Sequence, residues 1–120
     1  MDWVTARSVC SLNRVFQTLY EVIDSDVKTA NGLRLQGVGF HASFQHKKVV
    51  VTREENDDAV RAVVFELTPV SIVVREGKSK ELFSAKPRLS DTGECMLEVD
   101  GQLYQLWQIS QKALEDLFFA

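Results

Sequence analysis

The chain contains few of the residues that interrupt or cross-link a fold, with two prolines, six glycines and two cysteines among its 120 residues. So little glycine and proline excludes a collagen-like or low-complexity chain. No apolar stretch approaches the roughly 20 residues that a membrane-spanning helix needs, so no membrane partner is expected. Basic residues are not in excess, because the net charge is −3, and a nucleic acid is therefore not an expected partner.

The cysteines and the first residues of the chain both predict a cytoplasmic protein. Cys10 and Cys95 lack the spacing of a disulfide framework, so we expect two free thiols. The N-terminal residues carry neither the basic segment nor the apolar segment of a secretory signal.

The rest of the composition is that of an ordinary globular domain, with 45% hydrophobic and 26% charged residues. No repeat, low-complexity segment or long linker divides the chain. We therefore expect one domain over residues 1–120.

The clearest periodic signal predicts a long helix over residues 5–24. Apolar residues spaced three and four apart form one stripe on it, which comprises Val9, Leu12, Phe16, Leu19 and Ile23. Asp24 and Asp26 are unfavourable beside the negative end of a helix dipole, so we expect a break or kink at residues 24–26.

Alternation with a period of two over residues 40–52 predicts a hairpin that turns at His46-Lys47. A two-residue loop there aligns the apolar residues of its strands, Phe44 with Val49 and Ala42 with Val51. Pro87 is expected to end a later strand. The further strands predicted from alternation and turn residues are 60–67, 70–75, 81–85, 94–99 and 102–108.

Asp100-Gly101 is the strongest turn signal in the chain, because a type I′ turn needs positive φ at both central residues. The inward pairs of that hairpin are Leu97 with Tyr104 and Cys95 with Leu106. Its opposite face carries Met96, Leu103 and Trp107. A short last helix is predicted from Ser110, which is a good N-cap.

These elements predict an α+β fold. Strands that follow one another through short turns usually pair, so the six to seven strands should form an antiparallel meander. We expect the long N-terminal helix and the short C-terminal helix to pack on one face of that sheet, which leaves the other face without a covering element.

The residue types that form catalytic, metal or cofactor sites in other proteins are too few or too scattered in this chain to predict such a site. His41 and His46 would need Cys95 as a third zinc ligand, and Cys95 is expected to point into the core. The acidic loop at residues 53–58 lacks the spacing and the central glycine of a calcium loop. Gly37-Val38-Gly39 is too short to be a phosphate loop. We therefore expect no enzymatic activity.

Basic residues flank the strand predicted at 81–85. They form one candidate functional site, a segment that would bind anions weakly. The ordinary explanation is an edge strand that lysines protect from aggregation. The set comprises Arg75, Lys78, Lys80, Lys86 and Arg88.

Aromatic and apolar residues outside the core pattern form the strongest candidate, because aromatics and Met are enriched at protein interfaces. This predicted partner-binding set comprises Met96, Leu103, Trp107 and Phe119. We expect a protein-interaction module, a subunit, adaptor or small inhibitor, whose partner is another protein or a second copy. The first alternative is a small apolar ligand held between helix and sheet, in a void lined by Phe16, Phe40, Phe44 or Phe65. The second is weak nucleic-acid or anion binding through residues 75–88.

Overall fold

The computed structural model describes residues 2–33 and 35–120, and its architecture is the predicted α+β one. No helix in those two ranges is long and apolar enough to cross a membrane. The helices and strands are α1 Trp3–Val9, α2 Leu12–Leu33, β1 Val38–Gln45, β2 Lys48–Glu55, β3 Asp58–Leu67, β4 Ile72–Glu76, β5 Lys80–Leu89, β6 Cys95–Val99, β7 Gln102–Tyr104 and α3 Leu106–Phe119.

The seven strands form one antiparallel sheet in which each strand pairs with its neighbour in sequence, as predicted. The β1–β2 register is also the predicted one, with Phe44 opposite Val49 and Ala42 opposite Val51. At the β6–β7 turn, φ is 50° at Asp100 and 84° at Gly101, as a type I′ turn requires. Local turn chemistry and alternation therefore fix both hairpins.

The predicted N-terminal helix is divided, but not where we expected. α2 runs without a break through residues 24–26, so the predicted kink is wrong. Asp24 forms an ion pair within α2, and Asp26 accepts a hydrogen bond from α3. The break lies instead at Cys10, the C-cap of α1, and Val9 is 48% exposed rather than part of the core.

A disulfide between Cys10 and Cys95 fixes that break, so the prediction of two free thiols is wrong. The two Cα atoms are 5.3 Å apart, within the usual range for a disulfide. Cys95 faces the core as expected, on the side of β6 that also carries Leu97 and Val99. The bridge therefore links the residues just before α2 to the start of strand β6.

The C-terminal helix begins earlier than predicted. β7 ends at Tyr104 and α3 starts at Leu106, so the expected pairing of Leu106 with Cys95 does not form. The backbone N–H of Gln105 donates to Gln108 Oε1 at 2.8 Å, which is one half of a capping box. Ser110 is not the N-cap but a fully buried residue inside α3.

β5 also extends beyond its predicted end, because it passes through Pro87. Its pairs with β4 end at Ala85, and its pairs with β6 begin at Lys86. Pro87 thus lies where β5 has a neighbour on one side only, which is where a sheet tolerates proline.

Helices α2 and α3 pack together over one face of the sheet, as predicted. Phe16, Leu19 and Ile23 are buried as expected, and Val27 continues their stripe. We call the opposite side of the sheet the outer face. Its residues are mostly half-buried or exposed, and they include Ser43, Val50 and Thr52.

Candidate functional site

A groove of about 620 Å³ lies between α2 and α3, and we call it the apolar groove. Its floor comes from the start of β1 and from β2, and its walls come from the second half of α2 and most of α3. Its lining includes the last residues of both helices, Leu33 of α2 and Phe119 of α3.

The α2 wall follows from helical spacing. Thr29, Ala30 and Leu33 follow Asp26 by three, four and seven positions, so all four share one side of the helix. This side is adjacent to the buried stripe that contains Ile23 and Val27. One helix therefore supplies both core contacts and a groove wall.

The α3 wall divides in the same way. Ile109, Ala113 and Leu117 are buried against the sheet. Trp107 and Phe119 face the groove, and both remain largely exposed.

Four large apolar side chains lie along the rim of the groove. Their exposed fractions are 76% for Leu33, 77% for Leu35, 55% for Trp107 and 78% for Phe119. Scattered exposed apolar residues are normal on protein surfaces, but a group of this size around one concavity is typical of an interaction site.

The floor of the groove is aromatic. The ring of Phe118 contacts that of Phe40 edge to face, with centroids 4.8 Å apart. Phe118 also contacts Phe119, with centroids 6.3 Å apart. Because Phe40 is buried in β1, these contacts connect the exposed rim to the core.

A partly buried hydrogen bond joins the two helical walls. Ser110 Oγ donates to Asp26 Oδ2 at 2.6 Å, and Ser110 is fully buried. A hydrogen bond to an ionised group is stronger than one between neutral groups. The pair therefore fixes the spacing of α2 and α3 at the groove.

Two arginines hold the C-terminal end of α3. Arg53 is 8% exposed, and its Nη1 donates to the carbonyl oxygen of Leu117 at 3.0 Å. Its Nε and Nη2 contact Glu55 Oε1 at 3.1 and 3.0 Å, so its charge is paired. Cations at a helix C-terminus also stabilise the negative end of the helix dipole.

Arg61 lies opposite Arg53 in the β2–β3 register and contacts the same end of α3. Its Nη2 donates to Asp116 Oδ2 at 2.7 Å and also to Glu76. The hydrogen bond to Glu76, and after it the one to Asp116, raises the pKa of the Arg61 guanidinium.

The predicted partner-binding set is divided between the two sides of the protein. Trp107 and Phe119 lie together at the apolar groove. Met96 and Leu103 lie on the outer face, opposite Arg88 and Glu98 in the strand register, and both are half-buried. Trp107 was placed wrongly on a strand, because residues 106–108 belong to α3.

The predicted anion-binding segment is partly neutralised. Arg75 pairs with Glu66 at 2.6 Å, and Arg88 pairs with Glu98 at 2.6 Å. The hydrogen bond from Arg75 lowers the pKa of Glu66. Three exposed lysines remain, Lys78, Lys80 and Lys86, and they occupy a turn and strand β5. Two of the five predicted residues therefore have carboxylate partners, and the three lysines remain exposed.

The residues considered for metal binding are explained by local structure. Most of the acidic segment is strand, and the β2–β3 turn contains Asn56 and Asp57, both with positive φ. Cys95 is in the disulfide and so is not a thiolate ligand for His41 and His46. Within residues 2–33 and 35–120, no group of three or more His, Cys, Asp or Glu side chains is placed to hold a metal ion.

Leu33 and Leu35 are the two exposed apolar residues of the rim that the sequence analysis did not predict. The predicted break at residues 24–26 left residues 27–36 without an element. The signal was present, because Val27 and Ala30 continue the spacing of three and four from Ile23.

Comparison of the chain with protein-family models, with curated proteins and with solved structures finds no match in any of the three.

Proposed function

We propose that this chain is a non-enzymatic protein-interaction module that binds an amphipathic helix of a partner protein in the apolar groove. The observation that carries this proposal is the exposure of Leu33, Leu35, Trp107 and Phe119 around one concavity. Aromatic side chains are enriched among the anchors of protein interfaces, and two of these four residues are aromatic.

The shape of the groove favours a helical occupant. A partner helix that lies in such a groove inserts apolar residues at positions i, i+3 or i+4, and i+7. The wall from Trp107 to Phe119 covers twelve helical steps, which correspond to about 18 Å. A partner helix of about three turns matches that length.

The charges around the groove favour a basic flank on the partner helix. Asp26 and Glu115 line the groove, while the charge of Arg53 is paired with Glu55. Among the described residues that line the groove, the unpaired charges are therefore negative. Complementary Lys or Arg residues on the partner would increase the association rate and the specificity.

The test uses a photo-cross-linking amino acid at Phe119 and, as a matched control, at Val70. Val70 is 69% exposed but lies in the β3–β4 connection, outside the groove residues. We expect cross-links from position 119 to map to partner segments with helical apolar spacing and a basic flank. Equal cross-linking from both positions, or cross-links to segments without that spacing, would contradict the proposal.

Affinity gives a second readout on the captured segment, made as a synthetic peptide. Trp107→Asp with Phe119→Asp should weaken its binding at least about 30-fold, because the loss of a single anchor worth about 2 kcal/mol already corresponds to that factor. Val70→Asp should leave the affinity unchanged.

A small apolar ligand is the alternative, and its supporting observation is the groove volume of about 620 Å³ with Phe40 in the floor. This volume lies within the range of small-molecule sites. Native mass spectrometry of the protein from its own source would favour that alternative if it showed a bound non-protein mass that Trp107→Asp removes.

A further inference from the structure

Among the described residues, strand β1 forms one edge of the sheet and pairs only with β2. The other edge, β7, has three residues and leads directly into α3. β1 has eight residues, VGFHASFQ, without Lys, Arg, Asp, Glu or Pro. Natural edge strands usually contain such residues, because an unprotected edge pairs with another strand.

The hydrogen bonds of Asn31 show which backbone groups of β1 point away from the sheet. Asn31 Nδ2 donates to the carbonyl oxygen of Phe40 at 2.8 Å, and the N–H of Phe40 donates to Asn31 Oδ1 at 2.9 Å. Both backbone groups of Phe40 are thus directed away from β2. Backbone direction alternates along an antiparallel strand, so the groups of Ala42 and Phe44 have the same direction.

Residues 41–45 are therefore an open edge. Asn31 occupies the backbone groups of Phe40 at one end, and β1 ends at Gln45 at the other. In the described part of the chain, the outward N–H and C=O groups of Ala42 and Phe44 have no hydrogen-bond partner. The ring of Phe44 packs against that of Tyr20 in α2, with centroids 4.0 Å apart. This contact fixes the position of β1 at its open edge.

We infer that the open edge pairs with the open edge of a second copy of this chain, antiparallel and centred on Ser43. Ala42 of each copy then lies opposite Phe44 of the other, and the four outward groups of each strand form four backbone hydrogen bonds in total. Ser43 is the middle residue of 41–45, so the blocked Phe40 does not obstruct either copy. Like charges directly opposite each other are destabilising, and this edge carries no Lys, Arg, Asp or Glu.

The symmetric arrangement makes Ser43 its own partner. A twofold contact uses the same surface on both copies, so the two Ser43 side chains face each other on the outer face. Their Cβ atoms would be about 4.5–5.5 Å apart. This inference does not depend on the apolar groove, which lies on the other face of the sheet.

The test is sedimentation equilibrium of the full chain over micromolar to millimolar concentrations. We expect the parent to dimerise reversibly and Ser43→Lys or Ser43→Glu to weaken the dimer at least 10-fold, because each places like charges in contact. An equimolar mixture of the two variants should form a heterodimer with affinity at least equal to that of the parent, because the charges are then opposite.

Thr52→Lys is the matched control, since Thr52 is on the outer face of β2, one strand from the edge, and half-buried like Ser43. It should leave the dimer unchanged. If Ser43→Lys unfolds the protein, Ala42→Pro replaces it, because the N–H that proline removes points away from β2. A parent that stays monomeric, or a dimer that survives both changes at residue 43, would overturn the inference. A dimer that Phe119→Asp abolishes and Ser43→Lys does not would instead assign self-association to the groove.

Discussion

Replacing Cys10 and Cys95 by alanine tests whether the disulfide stabilises the fold by linking distant parts of the chain. The bridge spans 85 residues in sequence, so it closes a long loop in the unfolded state. The chain-entropy model gives about 4.5 kcal/mol for a loop of that length at 25 °C, and measured values are commonly smaller. We therefore expect the double variant to lose about 2–4.5 kcal/mol of its free energy of unfolding.

The local structure predicts where the loss appears first. α1 contains no buried residue, and the main contact that it makes with the sheet is with β6, the strand that carries Cys95. Without the bridge, little apolar burial holds α1 on the domain. Trypsin should then cleave after Arg7 and Arg14, which flank Cys10, well before it cleaves the sheet.

Urea unfolding of the oxidised parent, the reduced parent and the double variant is the assay. The reduced parent and the double variant should have the same midpoint, and their m values should exceed that of the oxidised parent, because the unfolded chain is more expanded. If all three proteins unfold within about 0.5 kcal/mol of each other, the bridge does not constrain the unfolded chain. If only the double variant has a lower free energy of unfolding, the loss comes from packing at Cys10 rather than from the cross-link.

Two further perturbations test electrostatic contacts. Arg53→Met keeps most of the side-chain volume but leaves the Leu117 carbonyl without its donor, so we expect a loss of about 1–3 kcal/mol in urea unfolding. Arg14→Met on the exposed side of α2 is its control and should cost less than about 0.5 kcal/mol; equal costs would contradict the role of Arg53. The lowered pKa of Glu66 means that its ion pair stabilises the fold above the unfolded pKa of about 4.3 and is lost as pH falls through the folded pKa. The stability difference between Glu66→Gln and the parent should therefore be constant from pH 6 to 8 and decrease as pH falls below about 4; a difference that grows on acidification would contradict a stabilising ion pair at Glu66.

The hairpins were predictable because their determinants lie within a few residues of each other. Alternation over residues 40–52 left one register that buried Phe44 and Val49 together, and a one-residue shift would have reversed every side chain. Asp100-Gly101 is similar, since few residue pairs adopt two consecutive positive φ values.

The start of α3 was mispredicted because two local signals competed. Ser110 is the better N-cap residue by propensity, and residues 102–106 also fit the alternation of a strand. Burial decided between them. Ile109, Ala113 and Leu117 lie on one side of a helix, and they reach the core together only if that helix begins before Ile109. Trp107 consequently moved from the outer face to the apolar groove, which changed the candidate site more than the fold.

The disulfide was beyond prediction from spacing, and it bears on where the protein works. The cytoplasmic prediction depended on missing targeting signals and on two free thiols, and the second premise is wrong. Disulfides persist in oxidising compartments and are rare where glutathione and thioredoxin keep thiols reduced. Thiol titration of protein denatured directly from its native source, with thiols blocked at lysis, separates the two locations. We expect no free thiol, because the Cys10–Cys95 bridge is part of the fold and an oxidising compartment preserves it. Two free thiols would mean that the native compartment is reducing, and the fold would then have to persist at the lower stability expected of the double variant.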